Sequence, residues 1–260
     1  MNVKAVVKVM NFHALLRVEA SESKATKYAT MEAELSAMMR IINNNRNLRL
    51  DKSIQLPDPN LPVLRIYIGS DLGFCGSVNT SVNSILQKDR SAEKIVIGRK
   101  LRHATEVLLT LNRDDYEESF EKVRQYLKRA VRERCWSAVE IVYNHFYNVS
   151  SIKPETKRIY PLEVKADEVI ENEWDDFEIE GDAQRLLQDM TLSCMVYELR
   201  IAVASAYASE NIMRQNATSE SLKKLDEIEI EEKRQERKQK SQISFKKTID
   251  SFVNQKSIRQ

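Results

Sequence analysis

Residues 63–79 read Val-Leu-Arg-Ile-Tyr-Ile-Gly-Ser-Asp-Leu-Gly-Phe-Cys-Gly-Ser-Val-Asn, and this stretch decides the expected fold. It opens with a short β-branched run that ends at a glycine, as a buried strand does. Gly73 and Gly76 follow, available for positive φ or close backbone approach, and Ser77 or Asn79 stands near the start of a helix. The stretch therefore predicts a tight turn from a strand into a helix.

The same alternation of strand and helix patterns continues through the middle of the chain. The further elements are predicted at residues 77–88 (helix), 94–98 (strand), 116–134 (helix), 138–144 (strand) and 156–164 (a strand at an edge, because of Pro161). Such alternation is typical of an α/β fold with a mostly parallel sheet. We therefore predict a small Rossmann-like α/β body domain over residues 57–182.

Both ends of the chain lack the residues that end helices, because all five glycines and all five prolines lie between 57 and 181. Apolar residues recur there at spacings of three and four, which predicts long helices over 1–56 and 183–260. Neither has enough apolar face to be stable alone, so we expect an antiparallel coiled coil beyond which the longer C-terminal helix projects. The predicted seam comprises Val3, Val6, Val7, Met10, Ala14, Val18, Tyr28, Leu35, Met38, Met39 and Ile42 on the first helix, and Leu186, Met190, Cys194, Tyr197, Ile201, Ala204, Ala208 and Ile212 on the second.

The net charge of +2 hides an uneven distribution. Residues 163–182 hold ten acidic residues and one lysine, whereas residues 233–259 hold nine basic residues and two acidic ones. A uniform basic surface for nucleic acid is therefore not indicated, and the acidic segment is predicted to be an exposed connector or an edge strand. No apolar run is long enough to span a membrane, and the first eight residues lack a signal-peptide pattern, which predicts a cytoplasmic protein.

No cofactor, metal or catalytic site is predicted. The glycine-rich turn could cradle an anion at a helix start, but its spacing matches neither common nucleotide motif and Asp71 lies in the way of a phosphate. Cys75, Cys135 and Cys194 are widely spaced and predict reduced thiols. Cys75 could act as a nucleophile at the helix start, yet no histidine stands at motif distance, and packing within the turn is the favoured interpretation.

Residues 70–79 closely resemble the Ser-Asp-Arg-Gly-Leu-Cys-Gly-Gly-Leu-Asn signature of the gamma subunit of F-type ATP synthases, the central rotor. Weaker resemblances follow in the order which that family has, and together they cover almost the whole chain. They are Ile97–Lys100 (the end of its second strand), Val142–Asn148 (its third strand and following turn), Ala208–Arg214 (the start of its C-terminal helix) and Arg237–Ser244 (a basic stretch near its C-terminus).

The chain also departs from the pattern of that family. Residues 17–22 replace its Lys/Met-rich turn, Lys240 and Ser241 stand near its Arg-Gln pair, and residues 252–260 replace its small apolar tip. The family uses these positions against the catalytic ring. The departures indicate a divergent member, which leaves a specialised rotary machine open beside the housekeeping synthase.

The resemblance implies a non-catalytic shaft that couples ATP hydrolysis or synthesis in a ring of alpha- and beta-type subunits to rotation. It implies an epsilon-type subunit and a membrane rotor ring as further partners, with the chain peripheral to the membrane and not spanning it. The implied partner contacts are Lys233, Arg234, Arg237, Lys238, Lys240, Ser241, Ile243, Ile249 and Phe252. The structural residues of the turn are Ser70, Asp71, Gly73, Cys75, Gly76 and Asn79.

A second interpretation stays open at this point. The chain could be a small α/β enzyme or ligand-binding domain with a coiled-coil dimerisation stalk. Ligand or substrate binding that depends on Cys75 or Asp71 would favour this alternative.

Overall fold

The computed structural model describes residues 3–44, 57–102, 104–113, 115–162 and 181–257, with side chains up to 42 in the first range and 249 in the last. The predicted acidic connector and the side chain of Phe252 lie outside this description. The elements are α1 (Val3–Asn44), β1 (Val63–Ile68), α2 (Val78–Lys88), β2 (Glu93–Ile97), β3 (Val107–Leu111), α3 (Tyr116–Arg132), β4 (Ala138–Asn148), β5 (Ser151–Tyr160) and α4 (Ala183–Ser257).

The five strands form one sheet in the order β3-β2-β1-β4-β5. The pairs β1–β2, β1–β4 and β2–β3 are parallel, and only β5 runs antiparallel, as a hairpin partner of β4 at the edge. The predicted α/β class, the mostly parallel sheet and the edge position of the last strand are confirmed. That strand begins at Ser151 and ends at Tyr160, earlier than predicted, and β3 was not predicted at all.

The sheet is covered on both faces, which explains why its central strands are continuous apolar runs rather than alternating ones. On one face α2 contributes Val82 and Leu86. On the other face α3 and the first third of α4 contribute a large core in which Leu127, Met195 and Leu199 are fully buried. The body therefore grips α4 along residues 192–206 through buried apolar contacts.

The helices α1 and α4 pack as an antiparallel pair, as predicted. Near the body, Met39 and Ile42 form a small buried cluster with Leu187, Met190 and Cys194. At the far end, Lys4 Nζ lies 2.6 Å from carboxylate oxygens of both Asp226 and Glu229. The pairing therefore extends over nearly the full length of α1.

Four members of the predicted seam do not lie in it: Val3, Val6 and Met38 on α1 and Leu186 on α4 are 40–60% exposed. For α1 the reason is that apolar residues lie on more than one side of the helix, and periodicity does not say which side meets α4. Instead, the buried face of α1 passes through Ser21, which is 3% exposed and donates its hydroxyl to the backbone carbonyl of Arg17.

The helix α4 has 75 residues and α1 has 42, so at 1.5 Å per residue they are roughly 110 Å and 60 Å long. Every side chain from residue 231 to residue 249 is exposed. We call α4 residues 231–257 the projecting end. The expectation that the C-terminal helix extends past its partner is confirmed. Among the helices of the described ranges, none is long and apolar enough to cross a membrane.

Candidate functional site

The projecting end is a single helix that is polar over its first three turns. Lys233 Nζ donates to Glu229 at 2.8 Å, and Arg234 lies 3.8 Å from Glu231 on the same helix. Arg237 and Lys238 have no carboxylate partner among the described residues, and the same holds for Lys240. A helix exposed all round is stable only if it is solvated, paired by charges, or held by another molecule.

The predicted contact residues fall on two neighbouring stripes of this helix, because residues three and four apart share a face. One stripe holds Lys233, Arg237 and Lys240; the other holds Arg234, Lys238, Ser241 and Ile249. Ile243 lies away from both. Phe245, which was not predicted, shares the second stripe and is 68% exposed, and Ile249 is 45% exposed. The projecting end thus passes from basic to partly apolar toward its tip.

A second exposed apolar stripe lies on α1, and it too was not predicted. Val9, Phe12 and Leu16 follow the spacing of one helix face and are 55%, 59% and 48% exposed. Clustered apolar exposure of this kind marks surfaces that other molecules cover. The sequence does carry the signal, since these residues form a second stripe beside the one that packs on α4.

The turn between β1 and α2 is closed by the side chain of Asn79. Its Oδ1 accepts from the Ser70 amide at 3.0 Å, while its Nδ2 donates to Ser70 Oγ at 2.7 Å and to Cys75 Sγ at 3.4 Å. Gly76 has φ +56, and a Cβ there would lie 2.9 Å from Met213 Cε on α4. The contacts of Asn79 and Gly76 support their predicted structural role, which stays a prediction.

One expectation for the turn, that for Gly73, is wrong. Gly73 has open space around it and no positive φ, and the left-handed residue is instead its neighbour Phe74, at φ 58. Ser77 precedes α2 but makes no capping hydrogen bond. The turn therefore depends on the amide of Asn79 rather than on a helix cap.

Asp71 fastens the turn to two neighbouring loops. Its carboxylate accepts from the Arg99 amide at 2.7 Å and from the Arg113 amide at 2.9 Å. These amides come just after β2 and β3, at the carboxyl ends of the parallel strands, where many α/β proteins bind ligands. Because Asp71 already occupies them, the turn is built as a structural junction and is not arranged to cradle a phosphate.

The environment of Cys75 argues against the nucleophile interpretation. The thiol is 3% exposed and lies 3.6 Å from both Ser70 Oγ and the Leu72 carbonyl. No histidine in the described ranges bonds to it. A buried thiol held by its own turn is poorly placed to reach a substrate.

A buried ionic cluster joins the body to α4, and no sequence pattern predicted it. The carboxylate of Glu210 accepts from the guanidinium groups of both Arg113 and Arg214, and Arg214 also donates to Asn211 at 2.9 Å. The exposed fractions of Glu210 and Arg214 are 3% and 5%. Burial lowers the pKa of the Arg113 guanidinium, and the nearby Glu210 carboxylate opposes that shift.

The cluster sits beside two further polar links. Ser205 Oγ accepts from the Phe146 amide of β4 at 2.9 Å, and Ser209 Oγ donates to the Asn144 carbonyl at 3.0 Å. The motif at residues 208–214 lies well inside α4, as the helix predicted over 183–260 requires. Its polar residues bind α4 to the body and fix the rotation of α4 about its own axis.

Comparison with known proteins gives a consistent result. Residues 1–242 match the protein family described as ATP synthase. The ATP synthase gamma chain of a Wolbachia species from Brugia malayi is 22% identical over 249 residues, which cover 86% of either chain. That of Mycoplasma mobile is 24% identical over 186 residues, which cover 65% of this chain and 64% of the relative.

One solved structure has a similar fold. A chain of the Tetrahymena thermophila mitochondrial ATP synthase, from a structure of its central stalk and c-ring, superimposes with a TM-score of 0.61 at 16% identity. The similarity covers 83% of this chain and 99% of the Tetrahymena chain. A long pair of helices on a small α/β body is therefore an arrangement that this chain shares with a central-stalk protein.

Proposed function

The chain belongs to the ATP synthase family as a divergent gamma chain, and from this premise we propose that it is the central rotor shaft of a rotary ATPase. One observation carries the proposal: α4 is fixed to the body near its start, and its other end continues to Ser257, past the ion pairs of Lys4 with Asp226 and Glu229. No residue of the described ranges covers the projecting end, and a single helix of this kind is stable only with partners. A surrounding ring of subunits supplies those partners.

The geometry fits the transmission of torque. The paired helices resist bending, and the Glu210 cluster with the serine links prevents α4 from turning within the body. The basic residues of the projecting end are exposed, and contacts made by exposed charges are individually weak and screened by salt. Weak contacts permit the helix to turn within a ring, whereas a dry apolar interface would hold it in one position.

The partners in this proposal are a ring of alpha- and beta-type subunits around the projecting end, and an epsilon-type subunit and a membrane rotor ring at the body. The chain itself catalyses no reaction; the ring hydrolyses or makes ATP, and the chain couples this to rotation. In this role it lies peripheral to the membrane.

Purification tests the assembly directly. The tagged chain, isolated from its native source, is expected to bring down a stoichiometric hexamer of ATPase subunits. The purified chain alone is expected to show no ATP turnover. Absence of ATPase subunits from the complex, or robust turnover by the isolated chain, would contradict the proposal.

Reconstitution with the ring tests the role of the projecting end. Deletion of residues 243–260 is expected to reduce the torque or the coupling of the complex while ring assembly persists. Replacement of Arg237, Lys238 and Lys240 by glutamine should shift the salt dependence of ATP hydrolysis, because these charges face the ring. A matched control replaces Lys122, Arg124 and Lys128, which are exposed on α3 of the body. Equal effects of both triple variants would contradict the assignment.

A further inference from the structure

A groove of about 310 Å³ lies where α1, α3 and α4 meet. It includes Arg113, whose backbone amide is bound by Asp71 of the signature turn. From α1 it is lined by Arg17, Ser21, Lys24 and Tyr28, whose spacing of four, three and four residues puts them on one helix face. The floor comes from the start of α3, and α4 forms the opposite wall. Three separate elements thus surround one concave space.

The lining of this groove is strongly cationic. Arg17, Lys24, Arg113 and Arg200 contribute four positive charges, against one carboxylate, that of Glu117. Arg113 is paired with Glu210, but within the described ranges no carboxylate forms a salt bridge with Arg17, Lys24 or Arg200. Arg200 is instead held by aromatic groups: its guanidinium lies 4.6 Å from the Phe120 ring and donates to Tyr28 Oη at 3.1 Å.

The hydroxyl of Tyr116 is buried in this groove without a hydrogen-bond partner. The residue is 4% exposed, and its oxygen has no hydrogen-bond partner within the described ranges. Its electrostatic neighbours are Arg200, Glu117 and Tyr28, all of which line the groove. Burial raises the pKa of this hydroxyl, so it keeps its proton and remains a donor. An unpaired buried donor is costly, so a water, an ion or a ligand is expected to accept from this hydroxyl.

We propose that this groove binds a small phosphate-bearing anion. A phosphate group carries two negative charges and accepts hydrogen bonds from several directions, which suits guanidinium groups and hydroxyl donors arriving from three helices. Arg200 and Lys24 line the space from α4 and α1, and Tyr116 supplies a donor from α3. A bound phosphate would therefore tie the two shaft helices to the body.

Titration calorimetry of the full-length chain at low ionic strength tests this proposal, with inorganic phosphate as the probe. We expect saturable binding at one site that weakens as salt is added. ADP and ATP form parallel arms: tighter binding of either would identify a nucleotide as the source of the phosphate, and equal or weaker binding would identify the free anion. Absence of saturable binding of all three probes at millimolar concentration would overturn the proposal.

Point variants locate the site. Lys24→Ala is expected to weaken binding about threefold to fivefold, as loss of one exposed charge contact does. Tyr116→Phe is expected to weaken it about fivefold while leaving the melting temperature of the phosphate-free chain unchanged or higher, because it removes an unpaired buried hydroxyl. Glu117→Gln should tighten binding. Lys128→Ala, at an exposed position on the far end of α3, is the control.

Two outcomes would refute the location or the ligand class. If Lys24→Ala and Lys128→Ala weaken binding equally, the anion is held by general charge and not by the groove. If a synthetic poly-glutamate peptide binds in a Lys24-dependent manner and phosphate does not displace it, the groove is a contact for an acidic protein segment. Neither result would affect the proposed shaft function, which depends on the projecting end.

Discussion

Replacement of Glu210 by glutamine should weaken the joint between the body and the shaft. The wild-type carboxylate lies between two guanidinium groups whose side chains are 10% and 6% exposed. Glutamine keeps the size of the side chain but removes the negative charge, so that the buried cations of Arg113 and Arg214 lose their common partner. Removal of one partner from a buried ion pair costs about 3–5 kcal/mol of the free energy of unfolding.

The effect is large enough to measure in two ways. For a domain of 150–250 residues, 1 kcal/mol shifts the melting temperature by about 2–4 °C, so the variant should melt roughly 10 °C below wild type. Urea unfolding followed by tryptophan fluorescence should show a lower midpoint with an unchanged slope. Glu220→Gln serves as the control, because Glu220 pairs with Lys224 on the same helix while both side chains are 68% exposed.

A triple variant of the cluster separates the cost of an unpaired charge from the net contribution of the ion pairs. Replacement of all three charged residues by apolar ones of similar size should recover much of the lost stability. The reason is that the attraction within a buried ion pair is largely offset by the cost of removing both charges from water, whereas a single unpaired buried charge is strongly destabilising. If Glu210→Gln melted within error of Glu220→Gln, the ionic cluster would not be the element that fixes α4 to the body.

Three other perturbations follow from the described contacts. Asn79→Ala removes the hydrogen bonds to Ser70 and Cys75 and should cost about 1–3 kcal/mol in urea unfolding, whereas Asn216→Ala, at an exposed helix position, should change little; equal effects would show that Asn79 does not hold the turn. Asp89 accepts from Tyr67 Oη at 2.7 Å and pairs with Arg65 at 3.1 Å, and although its burial acts in the opposite direction, these bonds lower its pKa below the usual 3.8. Its stabilising effect is therefore complete above about pH 4 and is lost as the pH falls below that, so Asp89→Asn should lose stability less steeply than wild type on acidification; parallel pH profiles of unfolding would contradict this. Cys75 and Cys194 are buried and Cys135 is partly exposed, and burial also raises the pKa of Cys194 to about 11. A thiol reagent should therefore label one cysteine quickly in the native chain and three after denaturation. Rapid labelling of all three in the native chain would refute the described burial.

The sequence predicts the body well where local chemistry determines the structure. The β-branched runs of β1, β2 and β4 are buried on both faces. Residues 70–79 have a glycine-rich composition that is typical of a tight turn from a strand into a helix. By contrast, β3 escaped notice because it lies at the sheet edge, where Val107 and Leu108 are 37% and 39% exposed and show no clear alternation. A strand that is half solvated gives no distinct periodic signal.

The packing of the two long helices is predicted less well from the sequence. Periodicity predicts that both helices exist, but α1 has two apolar stripes, and only the structure shows which one packs on α4. The Glu210 cluster is a sharper example, since Arg113 and Glu210 are 97 residues apart. Charged residues in a sequence with 31% charge carry no mark of burial. Their pairing is a property of how the body docks on α4.

The antiparallel pairing of α1 with α4 also sets an order of events during synthesis. Lys4 and Glu229 are 225 residues apart, and ribosomes add about 5–20 residues per second, so α1 waits roughly ten seconds or longer for its partner. During that interval its apolar stripes have nothing to pack against, and a lone helix is only marginally stable. The sheet can collapse in the meantime, but part of its core comes from α4. The nascent chain is therefore open to aggregation or to chaperone capture until its last helix emerges.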